Sequence, residues 1–161
     1  MKFKRMFALI LSSVMVLSLL TACGGKKEEK NVDLSELWTS MEESLQEGDH
    51  LPALMELDDD TVQNLLGIDP ADLDSYVARI PMMMVHATEF FIAKVKDGKM
   101  DTVKTALESR QAALDEQWSM YLPEQYELVQ NYKLVTNGNY VLFCVCEDTE
   151  SVVKLFNDAT A

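Results

Sequence analysis

Two histidines and three cysteines are the imidazole and thiol groups that this 161-residue chain offers as metal ligands or nucleophiles. Cys144 and Cys146 stand one residue apart, a spacing that could hold a soft metal or cycle between thiol and disulfide. A tetrahedral site needs four ligands, and no second cluster supplies the other two; buried thiols on a core strand are the simpler reading. Strand residues two apart point the same way with Cα atoms about 6.5–7 Å apart, the upper limit for a disulfide. Two free thiols are therefore predicted. His86-x-x-Glu89 also has ligand types, but on a strand positions i and i+3 face opposite sides of the sheet. His50 stands apart from any such pattern. Asp58-Asp59-Asp60 lacks the alternating ligand spacing of a calcium loop, and acids there suit the positive end of a helix. No G-x-S-x-G, H-E-x-x-H or phosphate-binding loop occurs. The motifs thus predict no catalytic residue, no metal and no cofactor, leaving open only carboxylates assembled in space.

Two charges break an otherwise apolar pattern. Glu89 falls on the strand face of Ala87, Phe91, Ala93 and Val95, while Arg110 fills a slot between Leu107 and Leu114 in a helical stripe. A helix that follows a strand through Asp97-Gly98 packs back over that strand, which would bring the two side chains together. A lone buried charge is costly, and a carboxylate matches the guanidinium fork with two hydrogen bonds. A structural Glu89–Arg110 pair is expected. A ligand carboxylate on Arg110, or exposure of both groups, are the alternatives. Pro81-Met82-Met83-Met84 is an adaptable apolar stretch, suited to a partner surface or to an ordinary core or edge segment.

The N-terminus carries a different chemistry. Lys2, Lys4 and Arg5 precede an apolar run from Met6 to Leu20, the layout of an export signal and too short for a comfortable membrane span. Leu20-Thr21-Ala22 then leads into Cys23 and resembles the lipobox of bacterial lipoproteins. The resemblance implies a diacylglyceryl group on the Cys23 thiol and cleavage just before it. Residues 1–22 would then be a lipoprotein signal peptide and residues 23–32 a flexible stalk. The whole domain, 33–161, would be held on the outer face of the membrane. An uncleaved anchor with an incidental cysteine is the competing reading. Acyl anchors gain about 0.8 kcal/mol per buried CH₂, so two chains hold durably where one is marginal. Lys26, Lys27 and Lys30 of the stalk would lie near anionic headgroups, or simply in solvent.

Loss of residues 1–22 takes away three cations and no anion, so the formal charge goes from −13 to −16. So acidic a body argues against nucleic acid, anionic lipid and polyanionic wall polymers as direct ligands. What remains suffices for one domain. With two cysteines beyond Cys23, it has no disulfide framework.

The elements that must position these residues read in order as follows. Asp33 to Glu36 is a capping box, followed by Leu34, Leu37, Trp38, Met41 and Leu45 on one helical face and Gly48 as the stop. A short second helix runs from the Asp58–Asp60 acids to Gly67, and Asp69-Pro70 opens a turn. Strands are expected at Tyr76–Ile80, broken at Pro81, and at Val85–Lys96. A helix from about Asp101 to Trp118 follows, with Val103, Leu107, Leu114 and Trp118 inward. Pro123 starts a short helix through Val129. Strands at Tyr132–Thr136 and Asn139–Glu147 flank Asn137-Gly138, a type I′ hairpin signal. Asp148 caps a last helix. The expected fold is α+β, two N-terminal helices and then an antiparallel sheet of about four strands with helices packed on it.

Leu57-Asp58-Asp59-Asp60, Leu66-Gly67-Ile68-Asp69, Ala87-Thr88-Glu89, Tyr121-Leu122-Pro123 and Asn137-Gly138 before a terminal apolar strand are similar to family forty-three fifty-eight of the domains of unknown function. That family comprises small lipoproteins of Gram-positive anaerobes. The resemblance covers about residues 33–161 and implies an extracytoplasmic lipid-anchored domain with no known activity. Three functions follow. The first is a non-enzymatic module docking an envelope or membrane partner through a bare sheet face or the methionine segment. The second is a binder of a small or sugar-like ligand, with Trp38, Trp118 or tyrosines in a pocket. The third is an enzyme or accessory of surface O-acylation, suggested by the family's gene neighbours.

Overall fold

A computed structural model of the chain describes residues 30–48 and 51–161. Cys23, the signal segment, most of the stalk and His50 lie outside the described residues. Among the described residues there are five strands and five helices, and no helix is long and apolar enough to cross a membrane.

Helix α1 (Leu34–Glu47) forms where the capping pattern places it. Asp33 Oδ1 accepts the backbone N–H groups of Ser35 and Glu36 at 2.9 and 3.3 Å, and the five stripe residues are the ones it buries. Gly48 ends it with ordinary right-handed φ rather than a left-handed cap. Strand β1 (Leu54–Glu56) was not expected; three residues after Pro52 are too few to show a period. Helix α2 (Asp59–Thr61), capped by Asp58, continues as a π turn over Val62–Leu66, and Gly67 closes it at φ 69°. A 3₁₀ turn at Pro70–Asp72 leads into β2 (Leu73–Pro81), longer at both ends than the sequence suggests. Pro81 stays in the strand because its partner there is Leu54 of the edge strand, where a missing N–H costs little.

Strand β3 (Glu89–Val95) is shorter than expected: residues 82–88 form the connection, so His86 is a loop residue and not a strand residue. Helices α3 (Met100–Trp118) and α4 (Pro123–Gln130) then lead to β4 (Lys133–Asn137), β5 (Tyr140–Val145) and α5 (Thr149–Thr160). Asn137 pairs with Tyr140, so Gly138-Asn139 is the tip of the hairpin. Only Gly138 has positive φ there, at 56°, which makes the turn type II′ and moves it one residue past the expected type I′.

The sheet is antiparallel in the order β1-β2-β3-β5-β4, five strands rather than about four. Central β3 and β5 are apolar on both faces, and both faces are covered. One face sets Phe91, Ala93, Val95, Val141 and Phe143 against α2, α3 and α4; the other sets Phe90, Ile92, Leu142 and Cys144 against α1 and α5. Among the described residues neither face of these two central strands is left bare, so a bare sheet face is not there to dock a partner.

Candidate functional site

The strand directions give the domain two ends. Leu54 pairs with Pro81 where β2 finishes, and residues 82–88 lead from there to Glu89, the first residue of β3. Val145 pairs with Glu89, so β5 also finishes at this end. Helix α3 leaves the far end of β3 and folds back over it: Arg110 Nε lies 3.1 and 3.2 Å from the two Glu89 carboxylate oxygens. Trp118 and the α3–α4 connection therefore arrive beside the 82–88 loop. Gln125 Oε1, in the first turn of α4, accepts the Ala87 N–H at 2.8 Å and ties the 82–88 loop to the start of that helix, just past the second loop.

Every large apolar residue that is exposed among the described residues belongs to this end. Met82, Met83, Met84 and Val85 come from one loop and Met120, Tyr121 and Leu122 from the other, with Met55 on the adjoining edge strand. Met84 and Met120 are 84% and 98% exposed. Sequence patterning singles out only Met82, Met83 and Met84 among these. The signal for the others was present in Met120-Tyr121-Leu122, an apolar run between a helix end and a helix-opening proline. Leu122 holds φ at 46°, the left-handed region where a side chain is strained, because the chain must turn sharply before Pro123. Beneath this loop Trp118 is buried against Tyr121, ring centroids 5.7 Å apart, and its Nε1–H has no acceptor among the described residues.

Glu89 and Arg110 are brought together beneath α3. The bond is not the side-on fork: one nitrogen, Nε, serves both carboxylate oxygens. Burial pushes the Glu89 carboxyl up, and the Arg110 charge and hydrogen bond pull it partly back. The carboxyl is covered by the core and does not line the open depression elsewhere on the domain. That depression is walled by Glu56 to Asp60 and Tyr76. Two of its carboxylates have close protein partners: Asp58 accepts the Thr61 N–H at 2.9 Å, and Tyr76 donates to Asp59 at 2.5 Å, its hydroxyl pushed up to about 12 by burial and by that bond.

Cys144 and Cys146 are buried free thiols. The hydrogen bond between them, and then burial, push the Cys146 thiol up, which disfavours its thiolate. His86 is half-buried in the loop, while the Glu89 carboxylate is bonded to Arg110. No group of three or more metal-ligand side chains occurs among the described residues. Trp38 and Trp118 are both core residues; Trp38 packs edge-on against Phe90 at 5.0 Å, with Arg79 over its ring.

The other end of the domain receives the N-terminal segment. Tyr140, opposite Lys94 and Asn137, donates its hydroxyl to the Lys30 carbonyl at 2.7 Å and accepts the Val32 N–H at 3.0 Å. The chain thus enters the domain a strand's length away from the methionines.

No curated protein and no solved structure matches the chain. The model of one family, Domain of unknown function (DUF4358), matches residues 46–146, which takes in all five strands together with α2, α3 and α4. With more than half of its length matched, the chain belongs to this family of domains of unknown function.

Proposed function

We propose that the protein is a non-enzymatic interaction module of the cell envelope, anchored by lipid on Cys23 and docking a protein partner through its methionine end. The gathering of the exposed large apolar side chains among the described residues at one end of the domain, all but Met55 on two neighbouring loops, carries this reading. Soluble domains seldom expose contiguous apolar area without a partner for it, and methionine adapts its shape to what it meets. The lipobox-like Leu20-Thr21-Ala22-Cys23 supports the anchor. Entry of the chain at Tyr140 supports the orientation: an anchor there leaves the methionine end facing away from the bilayer.

A photo-crosslinking residue at Met84 in the anchored protein, on intact cells, should yield a discrete protein adduct. The same residue at Thr136, near the hairpin tip, should not. Equal adducts from both positions, or none from Met84, would sink the docking reading. The anchor has its own test: Cys23→Ser should leave an unprocessed precursor that no longer gains the mass of a diacylglyceryl group, and unchanged processing would refute it.

A further inference from the structure

We infer that the methionine end takes a basic amphipathic helix, a segment with one apolar face flanked by lysine or arginine; this rests on the docking reading above and names the partner's chemistry. The argument is one of charge around an apolar centre. No lysine or arginine occurs between Arg79 and Lys94, or between Arg110 and Lys133, and these two intervals contain both loops. The second interval holds exposed Glu116, Glu124 and Glu127 around Met120-Tyr121-Leu122. On the edge strand Glu56 stands beside Met55 and is bridged at 3.2 Å by Arg79, whose guanidinium is also stacked on Trp38. Lys133, at the start of β4 opposite Cys144, is the exposed cation brought toward this end, and the carboxylates outnumber it.

An apolar centre with an acidic rim selects its occupant. A second copy would bring its own acidic rim against this one, within a chain of net charge −13. An anionic bilayer would be repelled in the same way. Strand addition needs an open ladder, and the exposed residues here sit mainly on loops, so an apolar helix face laid between the loops is the mode that fits. Methionine side chains, unbranched and polarizable, shape themselves to such a face. The second loop also has reason to move. It carries the left-handed Leu122 and covers Trp118, which is 2% exposed with its Nε1–H unmet among the described residues. A strained residue and an unsatisfied donor in one stretch mark a loop that gains by rearranging around an occupant.

The test uses full-length protein in phosphatidylcholine nanodiscs, with empty discs subtracted, and labelled peptides of about 18 residues, or five helical turns. One peptide has leucine on one face and lysine on the other; in two others glutamine or glutamate replaces lysine. The leucine–lysine peptide should bind, and should bind at least about tenfold more weakly between about 50 and 500 mM salt. It should lose about tenfold with Glu116→Gln/Glu124→Gln/Glu127→Gln, and as much with Met82→Ser/Met83→Ser/Met84→Ser/Met120→Ser. Thermal melts of the variants keep folding apart from binding. Equal binding of the glutamine peptide, lost in the methionine variant, would overturn the basic-partner inference and leave the docking reading standing. Leucine–lysine binding indifferent to the methionine changes would also overturn it, since charge alone would then hold the peptide. No peptide binding at all overturns it too, and the Met84 crosslink then decides the docking reading by itself.

Discussion

Glu89 sits 3% exposed in a sheet face of phenylalanine, alanine and valine, and its position makes a sharp energetic demand. Leaving Arg110 without it, or it without Arg110, strands a charge in the core, so Glu89→Ala or Arg110→Ala should each cost about 3–5 kcal/mol. Glu89→Leu/Arg110→Met should recover much of that loss, because the burial cost of both charges goes at once. Urea melts of the four proteins measure the coupling; independent losses below about 1 kcal/mol each would show the pair to be uncoupled. The pH dependence has a definite sign. A carboxyl raised above its ordinary value of 4.5 on folding contributes most when pH is below that value, and the contribution is lost as pH rises through the folded-state value. The stability deficit of Glu89→Gln relative to the parent should therefore be larger near pH 4 than near pH 8. A deficit that grows with pH would mean that Arg110 outweighs burial.

Elements with a long period were readable and those set by their neighbours were not. Helix α1 and the buried stripe of α3 follow directly from residue spacing, because 14 and 19 residues give several turns in which the pattern repeats. Strand β1 has three residues and two of them are exposed, so nothing in it alternates; it exists because Leu54 to Glu56 can bond to the edge of β2. The start of β3 was misplaced for the opposite reason: Val85 to Thr88 have strand-like composition, but Ala87 bonds to Gln125 instead of a neighbouring strand. At the hairpin the Asn137-Gly138 signal found the turn and missed its register, since Asn137 is used by the ladder. The left-handed Leu122 was not legible at all, because its conformation follows from how two helices meet. Leu122→Gly should relieve that strain and raise stability by up to about 1 kcal/mol, read as a higher midpoint in thermal melts. A lower midpoint would show that the packing of the leucine outweighs its backbone cost.

At the scale of the molecule, the candidate site is a product of topology. Met82–Met84 and Met120 are far apart in sequence and come to the same end of the domain because α3 doubles back along β3. The matched family region stops short of most of α1 and all of α5, the two helices on the second sheet face, yet includes both loops of the methionine end. The methionine end thus lies within the matched region, and the layer of α1 and α5 lies largely outside it.

Among the described residues, thioether sulfur at this solvent-facing end is also the part most open to oxidation. Peroxide reaches Met84 and Met120 freely, whereas Met41 is wholly enclosed under α1. Sulfoxide formation turns an apolar, pliable side chain into a polar, chiral one without disturbing the core. Mild peroxide should therefore abolish peptide binding while leaving the melting curve in place, and methionine sulfoxide reductase should restore it. A docking surface built of methionine is one that survives only where oxidants are scarce or repair is at hand.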